Sequence, residues 1–328
     1  MLRLLIHRGP ARADGVSTQQ VPASVDEDRI ESGRPHVCRC RIRGSRCVCG
    51  GRGCSGAGIT TDTPELLRLG ERAVLTLADG RVIARVERGA DRYETAAREV
   101  AVARWLDREG VRVGRPLGGE QPYRVRGTVV TLWEKVDGKW TVPAELAAIL
   151  ARLHRLAPPP LLCLPDLDPF DRTDERIAHA ALAPAHKDTL RRIAEQLRGE
   201  YEQVRPVLSR CVIHGDANIG NVLATPDGVV LFDLDGVCLG PPEWDLVLTA
   251  LYRDLGWHTD TEYAAFCDVY GFDVNAWDGY AVFKRIRELR MVSWLAQKAG
   301  ESPRIDEEIH RRIADLADPS RPRHWHPY

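Results

Sequence analysis

Strand-like and helix-like patterns occupy different parts of the chain, and this separation limits the folds open to it. Residues 73–77 and 82–86 are short runs rich in β-branched residues, and an Asp-Gly pair between them is typical of a hairpin turn. A second strand pair is expected at 123–125 and 128–133. Between the two pairs, apolar residues at spacings of three and four over 93–107 indicate a helix with one buried face. The sequence therefore predicts a small antiparallel sheet that carries one helix.

Beyond the Asp-Gly pair at 137–138 the pattern becomes mainly helical. Helical sequence is expected over 143–153, much of 173–204 and most of 244–317, and a proline-rich stretch separates the first two regions. Short strands return between residues 211 and 232. A small sheet followed by a larger helical region, with short strands that carry polar residues, is an α+β arrangement.

The first sixty residues differ in composition from the rest of the chain. They contain ten arginines against five acids, repeated Gly and Ser, and no apolar period of either 2 or 3.6 residues. We expect residues 1–60 to be a disordered Arg/Gly/Cys-rich tail that builds no core. Two alternatives stay open. In the first, the five cysteines from Cys38 to Cys54 are zinc ligands, although their pairs are spaced more tightly than in most zinc knuckles. In the second, translation starts downstream of this segment.

Charge and hydropathy exclude several classes of protein. The 328 residues include 46 basic and 47 acidic side chains, for a formal net charge of −1, so no overall field draws the protein to nucleic acid or to an anionic membrane. No run of about 18 apolar residues occurs. Four cysteines outside the tail lie singly, as is typical of reduced thiols: Cys163, Cys211, Cys238 and Cys267. We therefore expect a cytoplasmic protein with neither nucleic acid nor membrane as a partner.

Polar residues between apolar strands form the densest motif of the chain. His214-Gly215-Asp216 is followed by Asn221, and Asp233 follows the next pair of strands. Phosphoryl transfer needs a carboxylate that orients a hydroxyl and accepts its proton, and oxygen ligands that hold Mg²⁺ against the phosphates. Asp216, Asn221 and Asp233 supply such a set. Turn-forming residues between strands would explain each of them singly but not the ordered set.

The motif resembles one found in a known family. His214-Gly215-Asp216 with Asn221, then Asp233 and the sequence GPPEWDL at 240–246, is similar to the aminoglycoside phosphotransferase and choline kinase-like superfamily. The three elements occur in the order and spacing of that family. The resemblance extends from about residue 69 to residue 299.

This resemblance implies a fold and a domain organisation. The fold would be α+β and bilobal, protein-kinase-like, with a small antiparallel-sheet N-lobe and a larger, mainly helical C-lobe. After the tail, the N-lobe would span 61–135 and form the nucleotide side of the site. The C-lobe would span 136–328 and carry the catalytic loop and the acceptor site.

The resemblance also implies roles for the motif residues. Asp216 would be the catalytic base, and Asn221 and Asp233 would be the Mg²⁺ ligands. Three further residues would support them: His214, Asp235 and Asp245. His214 would pack and hydrogen-bond within the loop, and Asp245 would be a buried carboxylate that steadies the loop from the following helix. Asp235 is either a second acid behind the ligands, which we favour, or a solvent-facing residue.

A kinase also needs a cation on the nucleotide phosphates, held by an acid from a helix. No lysine precedes Lys135. Arg85 stands where related phosphotransferases carry Lys or Arg on the third strand, and a guanidinium binds phosphate well through its planar fork. Glu99, on the helix that follows, is its expected partner. The alternative for Arg85 is an exposed strand arginine in an arginine-rich protein.

The expected cofactors are ATP and Mg²⁺. Adenine would hydrogen-bond to backbone groups of the connector between the lobes, at Trp133, Glu134 and Lys135. The phosphate loop expected at 69–74 contains a single glycine, so it departs from glycine-rich phosphate loops.

The predicted function is transfer of the γ-phosphoryl group of ATP to a hydroxyl of a small molecule, either a metabolite or an antibiotic. The acceptor would dock against the C-lobe near Asp216. Basic residues partly balance the acids after Asp245, so an antibiotic is not favoured over a metabolite. One alternative is a pseudokinase-like nucleotide-binding module without turnover. A protein Ser/Thr kinase is less favoured, because the short span between Asp233 and Trp244 leaves no activation segment.

Overall fold

A computed structural model of the chain describes residues 64–69, 72–77, 80–87 and 89–328. The predicted tail at 1–60, with its cysteines, and positions 70 and 71 of the predicted phosphate loop lie outside the described residues. None of the helices in the described ranges has both the length and the apolar character needed to cross a bilayer.

Ten strands in three sheets occur within the described residues. They are β1 (Glu65–Leu69), β2 (Arg72–Leu77), β3 (Val82–Glu87), β4 (Tyr123–Val125), β5 (Thr128–Glu134), β6 (Lys139–Trp140), β7 (Cys211–Ile213), β8 (Val222–Thr225), β9 (Gly228–Leu231) and β10 (Cys238–Gly240). The first five form an antiparallel sheet in the order β1-β2-β3-β5-β4, β7 pairs with β10, and the third sheet has the order β6-β8-β9.

Eight α-helices accompany the sheets in the part of the chain that the structure describes. They are α1 (Tyr93–Arg108), α2 (Pro143–Leu153), α3 (Thr173–His179), α4 (Pro184–Gln203), α5 (Glu243–Asp254), α6 (Asp260–Tyr270), α7 (Tyr280–Ala296) and α8 (Pro303–Ala317). Seven of the eight follow β5, so the predicted division into a small sheet lobe and a larger helical lobe is confirmed.

The five-stranded sheet has a small core of its own. Val82 and Ala84 alternate along β3 on its buried face, and Leu132 of β5 packs against them. The predicted hairpin is present as β2 and β3, with Leu77 paired to Val82 across a turn that contains Gly80. The predicted second strand pair is present as β4 and β5.

Helix α1 joins the small sheet to the large core. Its apolar residues Val100, Ala103 and Leu106 are buried in the main hydrophobic cluster, together with side chains of the C-lobe helices. Glu99 precedes Val100 on this helix and is only 2% exposed. Because α1 lies at the junction between the lobes, Glu99 is accessible to side chains from both lobes.

Two local predictions were wrong. The single helix expected over much of 173–204 is two helices, because Pro184 lacks a backbone N–H and fixes its φ angle, which favours the first position of a new helix. The chain also does not become helical directly after residue 138. Lys139 and Trp140 form β6 and pair with Ala224 and Leu223 before α2 begins.

Candidate active site

The predicted catalytic loop lies against the turn that carries Asp233 and Asp235. Strand β7 leads into His214-Gly215-Asp216, and its pairing with β10 holds the two segments side by side. Gly215 has a φ of 82°, and a Cβ at this position would lie 2.2 Å from the carbonyl oxygen of Gly236. Only glycine fits here, because any side chain would both strain the backbone and collide with the neighbouring turn.

Asp245, the third residue of α5, fastens this loop to the core. Its fully buried carboxylate accepts hydrogen bonds from the backbone N–H of His214 (2.6 Å) and of Gly215 (2.9 Å). His154 Nε2 contacts the same carboxylate at 3.0 Å. Burial acts to raise the pKa of Asp245, but the hydrogen bonds from His154 and from the His214 backbone outweigh it, so the pKa lies below its usual value. Trp244 adds a bond from its indole N–H to the Gly215 carbonyl, at 2.9 Å.

His214 is fully buried, and both of its ring nitrogens have partners in the loop. Nε2 lies 2.8 Å from the carbonyl oxygen of Phe232, which can only accept a hydrogen bond, so Nε2 carries the hydrogen. Nδ1 then accepts from the backbone N–H of Asp216, at 3.3 Å. With both nitrogens engaged, His214 is placed to organise the loop rather than to shuttle protons.

A hairpin brings Asn221 next to Asp233. Val222 of β8 pairs with Leu231 of β9, and the Phe232 N–H donates to the Asn221 carbonyl at 2.8 Å. Asp233 is the next residue after Phe232, so the pairing of β8 with β9 brings the two predicted metal ligands close together. The Asn221 side-chain nitrogen donates to the Asp216 carbonyl at 3.0 Å. Its Oδ1 is therefore the atom left to bind a cation.

These residues fit a divalent cation that is bound together with a nucleotide. Asn221 and Asp233 offer oxygen donors, which Mg²⁺ prefers, and the ion usually completes its shell with phosphate oxygens and water. Within the described ranges no group of three or more His, Cys, Asp or Glu side chains is arranged to hold a metal. Such a small donor set suits a metal that shares its ligands with a bound phosphate.

Asp216, the predicted catalytic base, has a side chain that is about half exposed, so its carboxylate is open to solvent. Arg287 of α7 reaches it from the core, with Nη1 3.5 Å from Asp216 Oδ1. The same guanidinium donates to the Trp244 carbonyl at 2.8 Å and stacks 3.9 Å above the Trp244 ring. Burial lowers the pKa of Arg287 to about 10, so the group remains charged at neutral pH. Sequence reasoning did not single out Arg287, because α7 lies far from the motif along the chain.

Arg85 and Glu99 are in contact, as the sequence predicted. Arg85 Nη1 donates to Glu99 Oε1, and the guanidinium also lies 4.8 Å above the ring of Trp133. The exposed strand arginine considered as the alternative is therefore not what the structure contains. Glu99 has a second partner that was not predicted, Arg72 of β2, at 3.1 Å.

Arg72 connects the two lobes. Besides Glu99 it contacts Asp235 Oδ2 at 2.6 Å and Asp233 Oδ1 at 3.3 Å. Burial acts to raise the pKa of Asp233, but the charges of Arg72 and Arg85 outweigh it and hold that pKa below its usual value. Burial and the negative charge of Asp233 raise the pKa of Asp235. Asp235 has Arg72 as its partner, its side chain is 39% exposed, and its role behind the metal ligands stays a prediction.

In the predicted connector between the lobes, some backbone N–H groups already donate hydrogen bonds to other parts of the protein. The Glu134 N–H donates to the Arg115 carbonyl at 2.9 Å, and the Lys135 N–H donates to the Arg81 carbonyl at 2.9 Å. The buried Trp133 ring donates a hydrogen bond from its Nε1–H to Thr131 Oγ1, at 2.8 Å. An adenine ring would therefore have to use other connector groups than these three hydrogens.

A cavity of about 360 Å³ lies in the C-lobe, and one of its lining residues also reaches the inter-lobe site. Its wall is mixed in charge and is formed by Asp168, Phe170, Asp171, Arg172, Asp174, Glu175 and Arg198. Arg172 also borders a smaller crevice beside Arg72 and Asp235. The sequence predicts an acceptor site formed by residues after Asp245, which stays a prediction, and the residues that line this cavity precede the predicted catalytic loop.

Known proteins share both the sequence pattern and this architecture. The model of the phosphotransferase enzyme family known as APH matches residues 70–283, which is more than half of the chain. The chain belongs to this phosphotransferase family. The predicted resemblance and fold class are thereby confirmed. No protein with a curated description matches the sequence.

Solved structures of family-like kinases superpose on most of this phosphotransferase. An amicoumacin kinase in complex with AMP-PNP and Ca²⁺ has a TM-score of 0.66 and 16% identity, over 82% of this chain and 92% of that one. A microcompartment-associated aminopropanol kinase has a TM-score of 0.58 and 18% identity, over 78% and 90%. A choline/ethanolamine kinase family protein from Mesorhizobium loti has a TM-score of 0.52 and 17% identity, over 78% and 88%. At these identities the likeness is one of fold.

Proposed function

We propose that this phosphotransferase uses ATP and Mg²⁺ and transfers the γ-phosphoryl group to a hydroxyl of a small molecule. One observation carries the proposal. A continuous chain of ion pairs runs from Asp233 through Arg72 and Glu99 to Arg85. The predicted phosphate-binding cation and the predicted metal ligand are therefore linked through only two intervening side chains, and the phosphates and the metal of one bound nucleoside triphosphate would need both groups.

The remaining roles follow from the contacts. Asp216 would orient the acceptor hydroxyl and accept its proton, and Arg287 would hold the carboxylate in place. Asn221 Oδ1 and Asp233 would hold Mg²⁺, which when bound offsets the charge that develops on the phosphate oxygens. Arg85, positioned by Glu99, would contact the phosphates through its planar fork. In this proposal residues 61–135 form the nucleotide side and residues 136–328 carry the catalytic loop and the acceptor site.

Two further observations support a small acceptor, and a third supports a reducing compartment. Nine residues lie between Asp233 and Glu243, and they form only a short turn and strand β10, which leaves no segment to bind a peptide. The structurally similar proteins are named as kinases of small molecules. All cysteines in the described ranges are unpaired, which fits the proposed cytoplasmic location.

The experiment combines binding and turnover. Calorimetry with AMP-PNP and Mg²⁺ tests nucleotide binding, and a phosphorus NMR screen of hydroxyl metabolites with Mg-ATP identifies the acceptor. Asp216→Asn should retain nucleotide binding and lose turnover by about 10²- to 10⁴-fold, the range typical of a positioned general base. Asp227→Asn, in the exposed turn between β8 and β9, is the control and should behave as the parent. Absence of nucleotide binding at millimolar concentration would contradict the proposal.

One observation favours a second candidate, a nucleotide-binding module without turnover: the Asp233 carboxylate is already paired with Arg72. The same pair of variants separates the two functions. Equal rates of slow ATP hydrolysis in the parent and in Asp216→Asn would support the binding module, because no group would then depend on the Asp216 carboxylate.

A further inference from the structure

Four carboxylates surround the guanidinium of Arg72. Nη2 contacts Asp235 at 2.6 Å and Asp233 at 3.3 Å, and Nη1 contacts Glu99 at 3.1 Å and Glu87 at 3.7 Å. The first two acids belong to the turn after β9, and the other two belong to the N-lobe. Burial acts to lower the pKa of Arg72, but these four negative charges outweigh it and raise that pKa above its usual value. The group is therefore a permanent cation at the junction of the lobes.

Arg72 contacts one of the two predicted metal ligands, Asp233. Its Nη2 lies 3.3 Å from Asp233 Oδ1, so a divalent ion that binds this oxygen would compete with the guanidinium for it. The crevice beside Arg72, also lined by Arg92 and Arg172, has a volume of only about 40 Å³. This crevice holds about one water molecule, so a phosphate group bound in it would require Arg72 to move.

Strand register keeps Arg72 close to the phosphate-binding side after such a move. Val74 pairs with Arg85, and Arg72 pairs with Glu87, so the side chains of Arg72 and Arg85 project from the same face of the sheet. A guanidinium released from Asp233 and Asp235 would remain beside Arg85. Its fork of donors matches phosphate oxygens as well as it matches carboxylates.

We propose that Arg72 is a second phosphate-binding cation, which Asp233 and Asp235 hold until a nucleotide-bound divalent ion takes over Asp233 and the released guanidinium binds the phosphates. This inference rests on the proposed function, because it presumes a nucleotide and a metal in the cleft. It assigns to Arg72 an exchange of partners: carboxylates in the free protein, phosphate oxygens in the complex.

The test uses two binding measurements on the purified full chain. The first is Mn²⁺ binding to nucleotide-free protein, followed by electron paramagnetic resonance. The second is calorimetric binding of AMP-PNP in the presence of Mg²⁺. Arg72→Met should bind Mn²⁺ about tenfold more tightly, equivalent to about 1.4 kcal/mol, because Asp233 has lost its competing partner. The same variant should bind Mg-AMP-PNP about tenfold more weakly, because one phosphate contact is missing.

Two further variants complete the design. Arg68→Met, on the exposed strand β1, is the matched control and should leave both affinities unchanged. Arg72→Lys keeps the charge but not the fork, so it should weaken nucleotide binding by about threefold, and it decides the matter if Arg72→Met does not fold. If the parent binds Mg-AMP-PNP and both Arg72 variants match it, the inference about Arg72 is wrong and the proposed function stands. If the parent binds no nucleotide, both fail together.

Discussion

The substitution Asp245→Asn replaces a fully buried carboxylate that accepts three hydrogen bonds by an amide of nearly the same size. Oδ2 accepts from the His214 N–H and from His154, and Oδ1 accepts from the Gly215 N–H. If the asparagine oxygen takes the Oδ2 position, its NH₂ group must face the Gly215 N–H, and two donors then meet. The loop of His214, Gly215 and Asp216 loses one charge-assisted bond and gains a buried, unsatisfied donor.

The expected cost follows from these contacts. A hydrogen bond to a charged group contributes about 1.5–3 kcal/mol, and an unsatisfied buried donor costs about 1–3 kcal/mol. Together they predict that Asp245→Asn lowers the free energy of unfolding by about 3–5 kcal/mol. For a chain of this size that corresponds to a fall in Tm of roughly 10 °C. Asp268→Asn, an exposed substitution on α6, should leave Tm unchanged.

The pH dependence provides a second readout. Because the folded-state pKa of Asp245 lies below the unfolded value of about 3.9, its contribution is fully present above about pH 4 and is lost as the pH falls toward the folded pKa. The difference in Tm between the parent and Asp245→Asn, measured by circular dichroism, should therefore be largest near neutral pH and shrink below about pH 4. A Tm within about 2 °C of the parent at pH 7 would refute the reasoning.

Two further substitutions test the geometry of the loop. Gly215→Ala should cost more unfolding free energy than Gly271→Ala in urea titrations, by about 1–3 kcal/mol, because both glycines have positive φ but only Gly215 faces a carbonyl oxygen where the Cβ would go. Equal costs would contradict the proposed clash. Arg287→Met keeps the stacked stem and removes the charge beside Asp216, so steady-state kinetics on the acceptor from the metabolite screen should show kcat about tenfold lower with an unchanged KM for ATP. Arg290→Met is its control, and a raised KM with unchanged kcat would show that Arg287 binds nucleotide instead.

The motif residues could be placed from the sequence because their contacts are local. Asn221 and Asp233 are ends of one short hairpin, so the strand pattern alone brings them together. The pair of Arg85 and Glu99 was also predictable, since the strand and the helix that carry them follow one another along the chain.

The positions of other site residues depend on packing between segments that are distant along the chain, so no local sequence pattern predicts them. His154 follows α2 and meets Asp245 across 91 positions, and Arg287 meets Asp216 only because α7 packs against α5. For Arg72 a signal existed in the alternation of β2, which places it on the same face as Arg85. Its partners Asp233 and Asp235, however, depend on how closely the two lobes approach, and no local pattern encodes that distance.

The backbone conformation of Asp233 bears on how an inactive form of this protein should be made. With φ at 61° and ψ at 58°, the residue occupies the left-handed region, which Asn, Asp and Gly tolerate much better than other residues. An alanine there would remove the carboxylate and also strain the turn, so a loss of activity would have two causes. Asparagine removes the negative charge while keeping a side chain suited to this geometry, and it is therefore the cleaner knockout.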